Sequence, residues 1–159
     1  DVGKGDPAEQ EKTLLHGLAE QAFPASSDRK DTWLHSGLTA YAETLWRVDK
    51  GEYTFAEARA EFEERDAKAR EKYGPPGDPE SDAVDRANTR VCPALMLMEL
   101  ADELGGRNEV NELLGQWARS SGAEPTRNEF IQFANAKTDK DLTKFFKSWL
   151  DSPTTPKTG

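Results

Sequence analysis

The stretch from Leu14 to Trp46, LLHGLAEQAFPASSDRKDTWLHSGLTAYAETLW, decides the fold. Leu14, Leu15, Leu18, Ala19, Ala22 and Phe23 recur at helical spacing, and Pro24 ends the run because its ring cannot continue a helix. Upstream, Asp6-Pro7 supplies the opening, aspartate as cap and proline in the first turn. After the polar connector Ala25–Lys30, Asp31 stands where it can cap a second helix. That helix carries the apolar stripe Trp33, Leu34, Leu38, Tyr41, Leu45 and Val48, and Asp49-Lys50-Gly51 closes it. The stretch therefore reads as two amphipathic helices on a short link. Both histidines of the chain, His16 and His35, fall within it.

The same pattern continues outward. Thr54 and Glu57 form a capping box for a third helix, with Phe55, Ala58, Phe62 and Ala69 on one face. Its other faces are dense in Glu, Arg and Lys and read as a solvated surface braced by i,i+4 pairs. Gly74-Pro75-Pro76-Gly77 breaks the chain, and up to about Ser81 the composition predicts its most mobile segment. A fourth helix is expected from Asp82 to Glu103, with Gly105-Gly106 as its stop and a kink or new start near Cys92 because Pro93 lies inside it. Val110, Leu113, Leu114 and Trp117 mark a fifth, ended by Ser120-Ser121-Gly122. Thr126 with Glu129 opens a sixth that carries Phe130, Ile131 and Phe133. Thr138–Asp141 starts a seventh with Leu142, Phe145, Phe146, Trp149 and Leu150. No alternating strand pattern of useful length occurs. The expectation is an all-α fold of about seven helices: a disordered lead-in over 1–5, one helical domain over 6–151 and a loose tail over 152–159.

A chain of 159 residues can bury a real core. Its 35% hydrophobic and 32% charged content suits a helical domain with charged outer faces, and four Trp with seven Phe argue against disorder for most of its length. The formal net charge of -9 repels phosphate backbones, so nucleic acid is not an expected partner. No run approaches the roughly 20 apolar residues of a spanning helix, which excludes membrane insertion by that route. Cys92 is the single cysteine, so neither an internal disulfide nor a cysteine metal site is available; beside Pro93 it is expected buried and inert. Met96 and Met98 read as core. The four tryptophans do too, with Trp46 the one placed to reach a surface cleft. The sequence assigns no compartment.

Four blocks in order carry a resemblance. His16-Gly-Leu-Ala-Glu20-Gln21-Ala-Phe23 is similar to H-E-L-A-H-Q-W-F, and Trp33-Leu34-x-x-Gly37-x-x-x-Tyr41-x-Glu43 to W-L-N-E-G-F-A-x-Y-x-E. Pro93–Leu104 resembles the helix after a catalytic tyrosine. Asp141-Leu142-x-x-Phe145-Phe146-x-x-Trp149-Leu150 is similar to D-L-x-x-F-F-x-x-W-L. Together these resemble the M1 family of zinc aminopeptidases, the gluzincins. The resemblance implies the C-terminal helical subdomain of a thermolysin-like catalytic domain. The family's upstream β-subdomain, with its G-A-M-E-N segment, has no counterpart here.

That family needs two histidines at i and i+4 and a carboxylate from the next helix to hold zinc with an open position. It also needs a glutamate beside the first histidine to take a proton from water. The resemblance places His16 at the first ligand position, Glu20 at the second and Ser36 at the third. Gly17 stands at the general-base position, and Arg90 stands near the tyrosine that would stabilise the tetrahedral intermediate. The link between the two blocks is also shorter than the family's. Base, third ligand and oxyanion stabiliser are thus missing together, each a group worth about 10²-fold or more in rate.

The reading this supports is a pseudopeptidase: no cofactor, no turnover, and a peptide or protein bound in the former active-site cleft, with Ser36, Tyr41, Glu43 and Arg90 as candidate lining residues. The alternative is a metal-dependent hydrolase, with zinc on a rearranged site of His16, Glu20 and His35. The plainer reading of each histidine stays beside both. His16 among leucines reads as a buried, hydrogen-bonded core residue, and His35 as a partner of Glu20 or Glu43 across the helix contact.

Overall fold

A computed structural model describes residues 22–80 and 86–157. Among them are six α-helices and no strand: α1 Trp33–Asp49, α2 Phe55–Tyr73, α3 Ala87–Leu104, α4 Arg107–Ser120, α5 Arg127–Asn135 and α6 Thr143–Asp151. A 3-10 turn at Arg29–Asp31 leads into α1. The first expected helix lies almost wholly outside the described residues, and the other six correspond to the remaining expectations.

α3 is the axis. Every residue from Val91 to Ala101 is buried, which marks a helix that is enclosed on all sides rather than amphipathic. α1 and α2 pack along it, and α4 and α6 close the rest. Pro93 neither restarts nor interrupts this helix, which is continuous from Ala87 to Leu104. Its ring is instead the surface that α1 packs on. A Cβ added to Gly37 would lie 2.4 Å from Pro93 Cβ and 2.8 Å from Pro93 Cγ, so only glycine lets the two helices approach this closely.

The rest of the core is aromatic. Phe130 of α5 meets Trp33 at 5.5 Å, Trp117 at 5.2 Å and Phe146 at 5.5 Å between ring centroids, all near edge-to-face. This one ring joins α1, α4, α5 and α6.

The helix ends show where local rules held. Thr54 accepts from Glu57 N at 3.1 Å and Glu57 accepts from Thr54 N at 3.0 Å, the reciprocal box. At Thr126 only half the box forms: its hydroxyl accepts from Glu129 N and donates to the Glu129 carboxylate instead of leaving that group to the backbone. α6 begins at Thr143, later than expected. Asn135 holds the intervening turn by accepting from Leu142 N at 2.7 Å and donating to Thr143 Oγ1 at 3.1 Å.

Asp31 does not cap α1, whose N-cap Thr32 makes no side-chain cap bond. Its carboxylate crosses the molecule and accepts from Arg127 N, the first residue of α5, at 2.8 Å. Burial raises the Asp31 carboxyl above its ordinary value, partly offset by that hydrogen bond.

Two segments differ from expectation in how they are held. The turn after α2 is buried at Pro76, Gly77 and Pro79. Gly77 N donates to Leu150 O at 2.8 Å, Arg127 reaches Gly77 O, and Asn88 bonds the carbonyls of Tyr73 and Gly74. Beyond α6, where looseness is expected, Ser152 O accepts from Arg70 at 2.8 Å and the Thr155 hydroxyl donates to Asp66.

Those two contacts rest on the α2 feature that departs most from a solvated face. Arg59–Glu63, Arg65–Glu61 and Lys68–Glu64 are surface i,i+4 pairs, as the charge pattern suggests. Asp66–Arg70 has the same spacing, with Arg70 Nε 2.8 Å from Asp66 Oδ2, but both side chains are 0% exposed.

Gly37→Ala should destabilise the protein by about 1–3 kcal/mol through overpacking. Ala at Gly122, where a Cβ meets nothing, should change it by no more than about 0.5 kcal/mol. Urea denaturation of both variants checks the pair. Asp31→Ala should lose about 1 kcal/mol as a lost helix cap, and Asp31→Asn less, because the amide oxygen can still accept. The raised Asp31 carboxyl also sets a sign. Its ionised form weighs against folding, and that penalty fades as pH falls through the raised pKa toward the unfolded value near 3.8. Asp31→Asn should remove this gain at acid pH, measured by denaturant midpoints across the window.

Candidate functional site

The residues singled out from the sequence divide into those placed by the α1–α3 crossing, those in the core and those not described. His16, Gly17 and Glu20 lie outside the described residues, so the set His16, Glu20 and His35 cannot be assembled here. His35 and Ser36 sit in the first turn of α1, immediately before Gly37; Arg90 sits three residues before Pro93 on α3. All three therefore lie within one turn of the crossing.

His35 is half-buried, and its Nδ1–H donates to the carbonyl of Phe23. A carbonyl can only accept, so Nδ1 carries a proton, and in the neutral ring the free lone pair then falls on Nε2. The contact ties the end of the connector to the start of α1. The Nδ1 partner is backbone rather than the carboxylate of Glu43, and the other expected partner, Glu20, lies outside the described residues. Ser36 is buried, and its backbone N–H donates to Thr32 O at 3.0 Å within the first turn. Arg90 is exposed.

Tyr41 is not a cleft residue. It is fully buried on the core stripe of α1, and its hydroxyl finds no hydrogen-bond partner among the described residues. Burial pushes its phenol up to about 12, with Arg107 pulling slightly the other way. Glu43 is half-buried on the same helix. Trp46 is half-buried with the Lys50 ammonium over its ring. Cys92 is buried, as expected; its thiol reaches the Asp66 carbonyl at 3.8 Å, and burial raises its pKa, which keeps it a thiol rather than a nucleophile. The sequence reading missed Asp66 and Arg70, although Asp66 falls on the same stripe as Ala58, Phe62 and Ala69.

Among the described residues, no three His, Cys, Asp or Glu side chains come close enough together to hold a metal ion. His35 offers a single nitrogen, the hydroxyl of Ser36 is a weak zinc donor, and the Cys92 thiol is buried against the Asp66 carbonyl of α2. The described donor set does not fit a zinc centre, and no step through zinc follows from it.

With the geometry established, comparison with solved structures is informative. The chain is similar to an M1 zinc metallopeptidase from Deinococcus radiodurans, at 24% identity and a TM-score of 0.74, and to a substituted form of it bound to a Tyr-Ser-Ala substrate, at 24% and 0.72. A two-domain M1 zinc metallopeptidase variant bound to L-arginine gives a TM-score of 0.77 at 24% identity. The fold is M1-peptidase-like. In each case the match covers 92% of this chain but only 34% of the other, so the chain spans about a third of the structures it resembles. No family model matches the chain, and no curated protein matches it significantly.

His35→Ala should loosen the connector by removing the bond to the Phe23 carbonyl, at a cost of about 1 kcal/mol. Hydrogen exchange at residues 24–32 should rise with little change in α3, and equal change in both would show that the bond is not local.

Proposed function

We propose that this chain is a helical, M1-peptidase-like domain that has lost peptide hydrolysis and binds a peptide or protein on the face beside the α1–α3 crossing, where the resemblance puts the former active-site cleft. The observation that carries this reading is a contrast at the α1–α3 crossing. Trp33, Leu34 and Gly37, which pack α1 on the core, are buried in place, while Ser36 and Arg90 stand where the resemblance asks for a carboxylate and a tyrosine.

The chemistry follows from that contrast. A hydrolase of this type must activate water, hold the carbonyl and stabilise the oxyanion. Gly17 at the base position has no side chain to take a proton, Ser36 brings no charge to a metal, and an arginine at position 90 has no hydroxyl to donate. Loss of any one costs about 10²-fold or more, and loss of all three removes practical turnover. What is left is a surface shaped by a peptidase scaffold. A peptide or protein is the ligand class this suggests, by analogy of fold. An upstream β-subdomain is a natural partner, because the chain spans a third of its structural neighbours.

One observation favours the second reading, a metal-dependent hydrolase on His16, Glu20 and His35. Fixing Nδ1–H on a carbonyl leaves Nε2 as the donor, which is how a ligating histidine is usually oriented.

The two readings separate in one experiment. Protein purified without a histidine tag should contain well under one zinc per chain and show no chelator-sensitive hydrolysis of aminoacyl and peptide substrates. Stoichiometric zinc together with chelator-sensitive turnover would overturn the pseudopeptidase reading.

A further inference from the structure

The segment after α6 lies over the most polar part of the interior. None of its residues from Ser152 to Lys157 is buried: Ser152, Thr155 and Pro156 are half-buried, and Pro153, Thr154 and Lys157 are exposed. Beneath it are the enclosed side chains of Asp66 and Arg70. Against these two lies Cys92, also enclosed, whose thiol reaches the Asp66 carbonyl at 3.8 Å. From the surface inward the order is segment, ion pair, thiol.

The two ends of the segment are held differently. At the near end, Ser152 N donates to Ser148 O at 3.2 Å in the last turn of α6, and Ser152 O accepts from Arg70. The far end hangs on one bond, from the Thr155 hydroxyl to Asp66 Oδ2. Past Thr155, Pro156 and Lys157 border a cavity of about 490 Å³ that Phe145 and Trp149 also line, so space under the segment is unfilled. Between the ends the chain makes its own turn: Ser152 Oγ accepts from Thr154 N at 3.2 Å and donates to Thr154 O. Such a piece moves as a unit.

The ion pair itself favours entry of water. Asp66 Oδ1 and Arg70 Nη2 have no partner among the described residues, although both side chains are fully enclosed. A buried pair with unused polar atoms keeps part of its desolvation penalty, so hydration offsets the loss of the Thr155 bond. A segment with no buried residue and few hydrogen bonds opens at far lower cost than the whole fold.

We propose that Ser152–Lys157 is a strap, hinged at Ser152 and latched by Thr155, that lifts from Asp66 while the helices stay folded and so gates access to Cys92. In the closed state, burial first and the Asp66 charge second keep the thiol protonated, with Arg70 pulling the other way. Opening brings water to the sulfur, weakens the first of these causes and leaves a guanidinium beside it. The gate does not depend on whether catalysis has been lost.

Cys92 is the only thiol of the chain, so its reaction with dithiodipyridine reports on the strap. The thiolate attacks the reagent's disulfide, forms a mixed disulfide and releases one coloured thiopyridone. In urea well below the unfolding transition, the unaltered chain should react at a rate that barely depends on urea, because lifting the strap exposes little surface. Thr155→Val, without the latch bond, should react about tenfold faster. Thr154→Val, at an exposed neighbour that does not reach Asp66, should stay within about twofold. A rate in the unaltered chain that climbs with urea along the slope of global unfolding would show that the thiol is reached only by unfolding, and would overturn the strap. Equal rates in the two folded variants would overturn Thr155 as its latch.

Discussion

The fit of Gly37 against Pro93 is the constraint on which the rest depends. Proline inside a helix offers no N–H to the carbonyl four residues back and ordinarily marks a break. Here its ring is enclosed by α1, and glycine at position 37 makes that possible because no Cβ stands between the backbones. The crossing sets the height of α1 on α3. It thereby fixes where Ser36 and Arg90 stand, and the aromatic hub at Phe130 then locks α5 and α6 to the same pair through Trp33 and Phe146.

A second constraint lies on the opposite side of α3. Asp66 and Arg70 are fully buried, and a pair in that setting is stable only if its remaining polar atoms are used. The protein uses several of them on its own C-terminal segment, through Ser152 O and the Thr155 hydroxyl, and stacks the Arg70 guanidinium near Trp149 at 5.7 Å. Asp66 Oδ1 and Arg70 Nη2 stay without partners among the described residues. Removing either residue alone would strand a charge in the core, at a cost of about 3–5 kcal/mol. The segment after α6 is therefore tied to the interior of α2.

Helix identity and the core stripes were legible in the sequence because they depend on spacing within one element. Thr54 and Glu57 are three residues apart and cap each other as local chemistry says. Asp31 departs from its expected role for the complementary reason: its carboxylate serves whichever N–H the tertiary fold presents, and that one is 96 residues away. Asp66–Arg70 could not be told from its exposed neighbours by i,i+4 spacing alone, although the stripe through Ala58 and Ala69 already held the signal. Tyr41 shows the opposite error. The motif points it to a cleft, while its own stripe, shared with Trp33, Leu34 and Leu38, places it in the core. At the candidate site, residue types at positions can be read from the sequence. Only the fold could show that the His35 ring is turned onto the Phe23 carbonyl.

On the proposed reading, the M1-like scaffold is retained and its chemical groups are exchanged. If the helix pair still holds the spacing a zinc centre requires, restoring the donors should restore the centre. The measurement is zinc affinity of a folded variant carrying Gly17→Glu, Glu20→His and Ser36→Glu, beside the unaltered chain. The account predicts one tightly bound zinc per chain in the variant and none in the parent. A variant that folds, with the same helical content, yet binds no zinc would show that the architecture was not kept either.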